Sequence, residues 1–141
     1  MSGTSIPEIY CCKIEMDRMN VYLASTRKGA FRIGLSLEKD PGCITFFRRL
    51  LKGAWLLENS GPNRPLIRAV EAAFLNKRSE DMPLPDISCT PFQWSVFTAI
   101  ATIPFGETRT YGEVASMVGR PRAARAVGQA LGRNPLPLIF P

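Results

Sequence analysis

The side chains that could act as nucleophiles or metal ligands are limited, because the sequence contains no histidine. Cys–His pairs, Ser–His–Asp triads and histidine-ligated metals are therefore excluded from these 141 residues. Four cysteines remain, and no two of them have CxxC spacing, so neither a zinc site nor a disulfide framework is indicated. We expect Cys11, Cys12, Cys43 and Cys89 to be small, half-buried residues in a reducing compartment, with no metal and no cofactor.

The arginines are the second chemically informative set. The chain carries 18 Lys and Arg against 12 Asp and Glu, a net charge of +6 that favours a polyanionic partner. From residue 118 to the end there is no acidic residue, and the cations there are Arg120, Arg122, Arg125 and Arg133. This segment predicts a local positive field.

Three helices with clear start and stop signals are predicted over the segment that carries these arginines. Thr90 and Gln93 form a capping box for the first, which ends before Pro104. Its predicted buried stripe consists of Phe92, Val96, Ile100 and Ile103. Thr110 and Glu113 form a second capping box.

The second helix is short, and Gly119 stands where a left-handed C-cap residue belongs. A third helix is predicted to begin with Pro121 in its first position and to run to Gly132. A short helix, a tight turn and another helix form the helix-turn-helix arrangement.

The third helix has two unlike faces at about 100° per residue. The face predicted to be buried carries Ala123, Ala124, Val127, Ala130 and Leu131. The opposite face carries Arg122, Arg125, Ala126, Gly128 and Gln129. Long arginines among small residues allow close approach of a nucleic acid. The alternative is an Ala-rich helix with solvated arginines; the helix-turn-helix setting and the positive field favour the nucleic acid.

The preceding residues predict a small α/β unit. Strand-like runs at 9–14, 20–25 and 30–37, with a turn at Lys28-Gly29, indicate a small antiparallel sheet. Residues 46–57 are compatible with more than one structure. Pro65 suits the first position of an amphipathic helix carrying Leu66, Val70 and Phe74. Residues 78–86 have the composition of a linker, which predicts domains at 1–85 and 86–141.

No apolar run approaches the roughly 18 residues that a transmembrane helix requires, and the N-terminal residues lack a signal-peptide pattern. We therefore expect a cytoplasmic or nuclear protein that does not associate with membranes.

Residues 91–141 resemble, without a gap, the C-terminal domain of the O6-alkylguanine-DNA alkyltransferases. The resemblance is carried by the IPFGET turn, the TYGE helix start, the RPRAARAVGQAL helix and the NPLPLIFP strand. It implies a ribonuclease H-like N-terminal unit and a winged-helix-like C-terminal domain. It also implies a DNA-repair protein that binds, as a monomer, double-stranded DNA containing alkylated guanine.

The resemblance assigns roles to individual residues. The recognition helix would enter the minor groove with Arg122, Ala124, Ala126 and Gly128 on its DNA side, and Arg125 would fill the space left by a flipped nucleotide. Tyr111 would crowd the 3′ phosphate and help to rotate the alkylated guanine outward. Asn134 would tie the helix-turn-helix to the following strand; alternatively, it is a turn former in Gly-Arg-Asn-Pro.

In the family, the NPLPLIFP strand is followed by Cys-His-Arg, whose cysteine accepts the alkyl group. The chain ends at Pro141, so we assign no catalytic residue to it, and whether it is an enzyme stays open. Three interpretations are compatible with this end: a fragment of an active alkyltransferase, a non-catalytic damage sensor, and a helix-turn-helix DNA-binding regulator. We favour the first, because Leu138, Ile139 and Phe140 would otherwise form an apolar chain end.

Overall fold

The computed structural model describes residues 8–79, 82–104 and 106–138. Its internal contacts divide the chain into two compact units, Met1–Ile87 and Ser88–Pro141. They are called the N-terminal unit and the C-terminal unit below.

The N-terminal unit contains a four-stranded sheet with the strand order β3-β2-β1-β4. The strands are β1 (Glu8–Met16), β2 (Met19–Thr26), β3 (Gly29–Ser36) and β4 (Trp55–Glu58). All three predicted strands are present. These three strands pair antiparallel as predicted, but the sheet as a whole is mixed, because an additional strand, β4, pairs in parallel with β1. The apolar pattern of β4 is only four residues long, too short to distinguish a strand from part of a helix.

Tight turns join the first three strands. Asp17 and Arg18 both have positive φ, as a two-residue hairpin of matching twist requires. At the next turn, a Cβ on Gly29 would lie 1.9 Å from the carbonyl oxygen of Leu84. Glycine is needed there because the backbone of residues 84–86 lies directly against β3.

The end of the predicted linker is therefore part of the N-terminal unit. The Ala30 amide donates to the Leu84 carbonyl (2.8 Å), and the Asp86 amide donates to the Ala30 carbonyl (2.7 Å). These bonds satisfy backbone groups on the edge strand β3, which a composition-based prediction of a linker cannot foresee.

Two helices accompany the sheet. Residues 46–57, which the sequence left compatible with more than one structure, contribute to α1 (Cys43–Leu50) and to β4. The helix α2 (Arg64–Phe74) follows a 3₁₀ turn. Phe47 of α1 is buried in a cluster with residues of β1 and β2. Leu66 and Val70 of α2 are buried as predicted. Pro65 was predicted at the first position of this helix and is its second residue, because α2 begins at Arg64.

The C-terminal unit contains α3 (Pro91–Ala101), α4 (Tyr111–Met117) and α5 (Ala124–Gly132). Both predicted capping boxes form, with Thr90 accepting from the Gln93 amide and Thr110 from the Glu113 amide. Gly119 has a φ of 76°, which confirms the predicted left-handed C-cap. In addition, the Arg120 amide donates to the Ala115 carbonyl at 2.8 Å, so α4 ends in a Schellman motif.

Two boundaries differ from prediction. The Ala123 amide donates to the Arg120 carbonyl, so Pro121 and Arg122 form a reverse turn before α5 and are not part of it. Proline's fixed φ suits a turn as well as a helix start. The predicted strand at 134–141 is not a strand over residues 134–138, where Pro135 and Pro137 cannot donate ladder hydrogen bonds. Residues 139–141 lie outside the described residues.

Within the described ranges, no helix combines the length and the apolar character needed to cross a bilayer. The same residues contain no group of three or more potential Cys, Asp or Glu metal ligands.

Candidate nucleic-acid interface

The exposed face of α5 carries one long cation among small or neutral residues. Val127 and Ala130 are buried, whereas Arg125, Ala126 and Gln129 are exposed. The predicted division of the helix into two faces is therefore correct at these five positions. Ala124 and Gly128 are half-buried and lie at the edges of the exposed face.

Arg122 is exposed, but it lies in the turn between α4 and α5 and not on the helix. Over residues 8–79, 82–104 and 106–138, neither Arg122 nor Arg125 makes an ion pair. Their charges are therefore not neutralised by the described part of the chain. Arg120 differs, because its guanidinium lies 5.8 Å from the centre of the Phe92 ring in a cation–π contact.

Tyr111 is positioned by α5. It is the first residue of α4 and is 54% exposed. A Cβ on Gly128 would lie 2.9 Å from Cε2 and 3.1 Å from Cδ2 of the Tyr111 ring. The ring therefore rests on the bare backbone of α5. This contact brings Tyr111 beside the helix that carries Arg125.

A cavity of about 300 Å³ adjoins the same tyrosine. Its lining comes from the end of α3, the loop that follows, α4 and α5, and includes Ile100, Thr108, Tyr111, Val114 and Leu131. A smaller depression of about 140 Å³ lies between the start of α3 and α5, where Thr90, Gln129 and Arg133 are among the lining residues.

Asn134 follows the end of α5 and makes a local contact. Its Oδ1 accepts a hydrogen bond from the Leu136 amide at 2.9 Å, and Leu136 is fully buried. This bond is a side-chain turn that directs the chain leaving α5 into the core. The turn-forming interpretation of Asn134 accounts for this bond.

The cysteines lie elsewhere. Cys11, Cys12 and Cys43 belong to the N-terminal unit and are buried, so the expectation of half-burial is wrong for them; Cys89 is half-buried. Burial raises the pKa of the Cys12 thiol to about 11, and burial also raises the pKa values of Cys11 and Cys43. Desolvation disfavours the reactive thiolate at all three positions.

Sequence reasoning missed two contacts of this surface. It treated Gly128 as a small residue facing DNA, whereas the glycine also makes room for the Tyr111 ring. It treated Arg120 only as part of a local positive field, whereas the Arg120 guanidinium lies over the Phe92 ring. The first contact joins residues 17 positions apart and the second joins residues 28 positions apart, so no local pattern in the sequence indicates either of them.

Comparison with known proteins identifies the family. Residues 91–141 match the family described as "6-O-methylguanine DNA methyltransferase, DNA binding domain". The inducible methylated-DNA–protein-cysteine methyltransferase of Bacillus subtilis is 31% identical over 140 residues, covering 98% of this chain and 77% of that protein. The chain belongs to the methylated-DNA–protein-cysteine methyltransferase family.

Other members of this family are similar over shorter stretches. The Mycobacterium leprae enzyme is 46% identical over 87 residues, which cover 62% of this chain and 52% of that protein. The chain thus spans about half the length of that relative. The crystal structure of Mycobacterium tuberculosis OGT in complex with DNA matches with a TM-score of 0.72 and 31% identity, covering 94% of this chain and 75% of that one.

These relatives account for the character of the molecule. A methyltransferase family with a DNA-binding domain and a DNA-bound structural neighbour is a family of DNA-repair proteins, and DNA is its partner. The small mixed sheet and the helices described above are the architecture that matches OGT.

Proposed function

We propose that the C-terminal unit binds duplex DNA through the minor groove and rotates an alkylated guanine out of the base stack. In this proposal α5 lies in the groove, Arg125 enters the stack in place of the extruded base, and Tyr111 acts against the adjacent phosphate. Ala124, Ala126 and Gly128 allow close approach of the groove, and Arg122 contacts the phosphate backbone.

The observation that carries the proposal is the exposed Arg125 beside Ala126. Arg125 makes no ion pair with the described residues and lies in a segment that contains no acidic residue from position 118 onward. An intercalating side chain must be long, and its neighbours must be short enough for the groove floor to approach the helix. Extruding a base costs about a few kcal/mol, part of which an inserted side chain recovers. The contact of Tyr111 with Gly128 supports the same assignment, because it holds an exposed aromatic ring next to Arg125.

Binding of an Arg125→Ala variant tests this assignment. We expect about a tenfold or larger loss of affinity for a duplex containing O6-methylguanine, and a smaller loss for the unmodified duplex. Arg122→Ala removes the same charge from the neighbouring turn and serves as the matched control. The Arg122→Ala variant should lose affinity for both duplexes by similar factors, because phosphate contacts carry no information about the base.

Fluorescence anisotropy at one fixed ionic strength measures all four affinities. If Arg125→Ala lowers the affinity for both duplexes by the same factor, as the control does, then Arg125 contacts phosphate and its proposed role in base extrusion is wrong.

We also propose that the four cysteines present here are not alkyl acceptors. Three are buried in the N-terminal unit with raised pKa values, and Cys89 has no histidine to assist it. After incubation of residues 1–141 with O6-methylguanine DNA, the intact mass of the protein should be unchanged. The addition of one methyl group to any cysteine would contradict this assignment.

The finer features of the family belong to the same proposal. We infer a ribonuclease H-like fold for the N-terminal unit and a winged-helix-like fold for the C-terminal unit. Asn134 supports the segment after α5. The protein acts as a monomer in the cytoplasm or the nucleus, on double-stranded DNA containing alkylated guanine.

A further inference from the structure

Two buried thiols of the N-terminal unit are in direct contact. The Cys11 S–H donates to Cys43 Sγ at 3.3 Å, although the residues are 32 positions apart. Cys11 lies in the middle of β1, and Cys43 is the first residue of α1. Neither residue takes part in the DNA-binding surface proposed above.

We propose that Cys43 and Cys11 form a reversible disulfide when a hydroperoxide oxidises Cys43. Cys43 is the residue that reacts with the peroxide, and Cys11 is the resolving residue. The product links β1 covalently to the start of α1.

Access to an oxidant distinguishes the two thiols. An open cavity of about 550 Å³ lies beyond the end of β4 and is lined by Cys43 but not by Cys11. Cys43 therefore lies nearer to an entering peroxide than Cys11, which is covered completely within the core cluster. Cys12 also lines this cavity and is the competing thiol.

Hydrogen bonding also favours Cys43 over Cys11 as the thiol that reacts with peroxide. Burial and the nearby Glu58 carboxylate raise the pKa of Cys43, and hydrogen bonds donated to its sulfur by the Cys11 thiol and the backbone amides of Ile44 and Cys43 offset part of that rise. Burial raises the pKa of Cys11 far above its ordinary range, and its bond to Cys43 raises it further. The thiolate is disfavoured at both positions, but less at Cys43 than at Cys11.

The reaction balances with hydrogen peroxide as the sole co-reactant. The Cys43 thiolate attacks one oxygen of hydrogen peroxide, and the O–O bond breaks. The attacked oxygen stays on sulfur as a sulfenic acid, and the other oxygen takes up the proton lost by the thiol and leaves as water. The Cys11 sulfur then attacks the sulfenic sulfur, and the hydroxyl leaves as water with the Cys11 proton. Two thiols are oxidised, and one peroxide is reduced to two waters.

The test uses the full chain, treated with limited hydrogen peroxide and analysed by intact mass and non-reducing peptide mapping. We expect the loss of two hydrogen masses, a link between the peptides containing Cys11 and Cys43, and recovery of the original mass with dithiothreitol. Cys12→Ser and Cys89→Ser are matched controls that should form the same link.

Single variants test the roles of the two sulfurs. With Cys11→Ala, the Cys43 sulfenic acid has no partner and should be trapped by dimedone; with Cys43→Ala, Cys11 should give no adduct. A link from Cys43 to Cys12, or no link in the wild-type chain, would overturn the proposal. Because the mapping of the wild-type chain requires no substitution, misfolding of a variant leaves the test intact.

Discussion

The two units of this molecule differ in the hydrogen bonds that stabilise each of them internally. The helices of the C-terminal unit begin and end with hydrogen bonds between residues three to five positions apart, such as the Thr110–Glu113 box and the Arg120–Ala115 bond. The N-terminal unit depends on partners far apart in sequence, such as the Asn63 side chain, which donates to the Tyr10 carbonyl at 3.0 Å. Local bonds can be predicted from a short stretch of sequence, whereas distant ones cannot.

The difference extends to function. The C-terminal unit exposes its distinctive residues, Arg125 and Tyr111, towards solvent, where DNA can reach them. The N-terminal unit buries its distinctive residues, the three thiols, within or beside its core. The proposed DNA-binding surface and the proposed thiol pair therefore lie in separate units of one chain.

The largest effect is expected from Phe47→Ala in the N-terminal unit. Phe47 is fully buried and makes edge contacts with the rings of Tyr22 and Phe46, so its truncation should cost about 3–5 kcal/mol. Urea unfolding followed by Trp55 fluorescence in a Trp94→Phe background measures the loss. The reciprocal Trp55→Phe background reports on the C-terminal unit through Trp94. An equal shift in both signals would contradict the prediction that the loss is confined to the N-terminal unit.

The second prediction concerns the local bonds of the C-terminal unit. Thr110→Ala removes the oxygen that accepts from the Glu113 amide and should cost about 1 kcal/mol, with Trp94 as the reporter. Thr110→Ser retains the acceptor and should restore most of the stability. A Thr110→Ala variant as stable as the wild type would show that tertiary packing, and not capping, maintains α4.

A smaller effect on stability is expected from Gly128→Ala. The added methyl group would displace the Tyr111 ring, but alanine also favours the helix by about 0.5–1 kcal/mol, so the free energy of unfolding should change by less than about 1 kcal/mol. Binding to the alkylated duplex should nevertheless fall as far as in Tyr111→Ala. If Gly128→Ala leaves binding to the alkylated duplex unchanged, the position of the Tyr111 ring does not matter for binding, and Tyr111 is not part of the interface.

The smallest effect concerns Asp40, whose pKa is lowered by hydrogen bonds from the Tyr22 hydroxyl (2.7 Å) and the Gly42 amide, and by Lys13. A lowered folded-state pKa stabilises the protein above the unfolded value of about 3.9, and this contribution is lost as the pH falls through the folded value. Asp40→Asn should therefore be less stable than the wild type at neutral pH, and the difference should disappear in acid. A difference that persists below about pH 2 would mean that packing, and not charge, is responsible.

Much of the C-terminal unit followed from sequence because its signals are local. Thr90, Thr110 and Gly119 each determine a helix end through their own side chain or backbone freedom, and their predicted roles were correct. Pro121 was assigned to the wrong element, since its fixed φ fits both a turn and a helix start. The face of α5 was correct at Arg125 and Ala126, because the helical period turns them about 160° and about 100° away from the buried Val127.

Sequence by itself thus determined the three N-terminal strands, the capped helices, the basic surface and the family resemblance, because each depends on residue type and spacing within one segment. Only the tertiary structure decided that β4 lies parallel to β1, that residues 84–86 pair with β3, that Tyr111 rests on Gly128, and that Cys11 meets Cys43. Each of these contacts joins backbone or side chains from separate segments. Their partners are selected by burial and by the need to pair buried polar groups across the fold, which no single segment encodes.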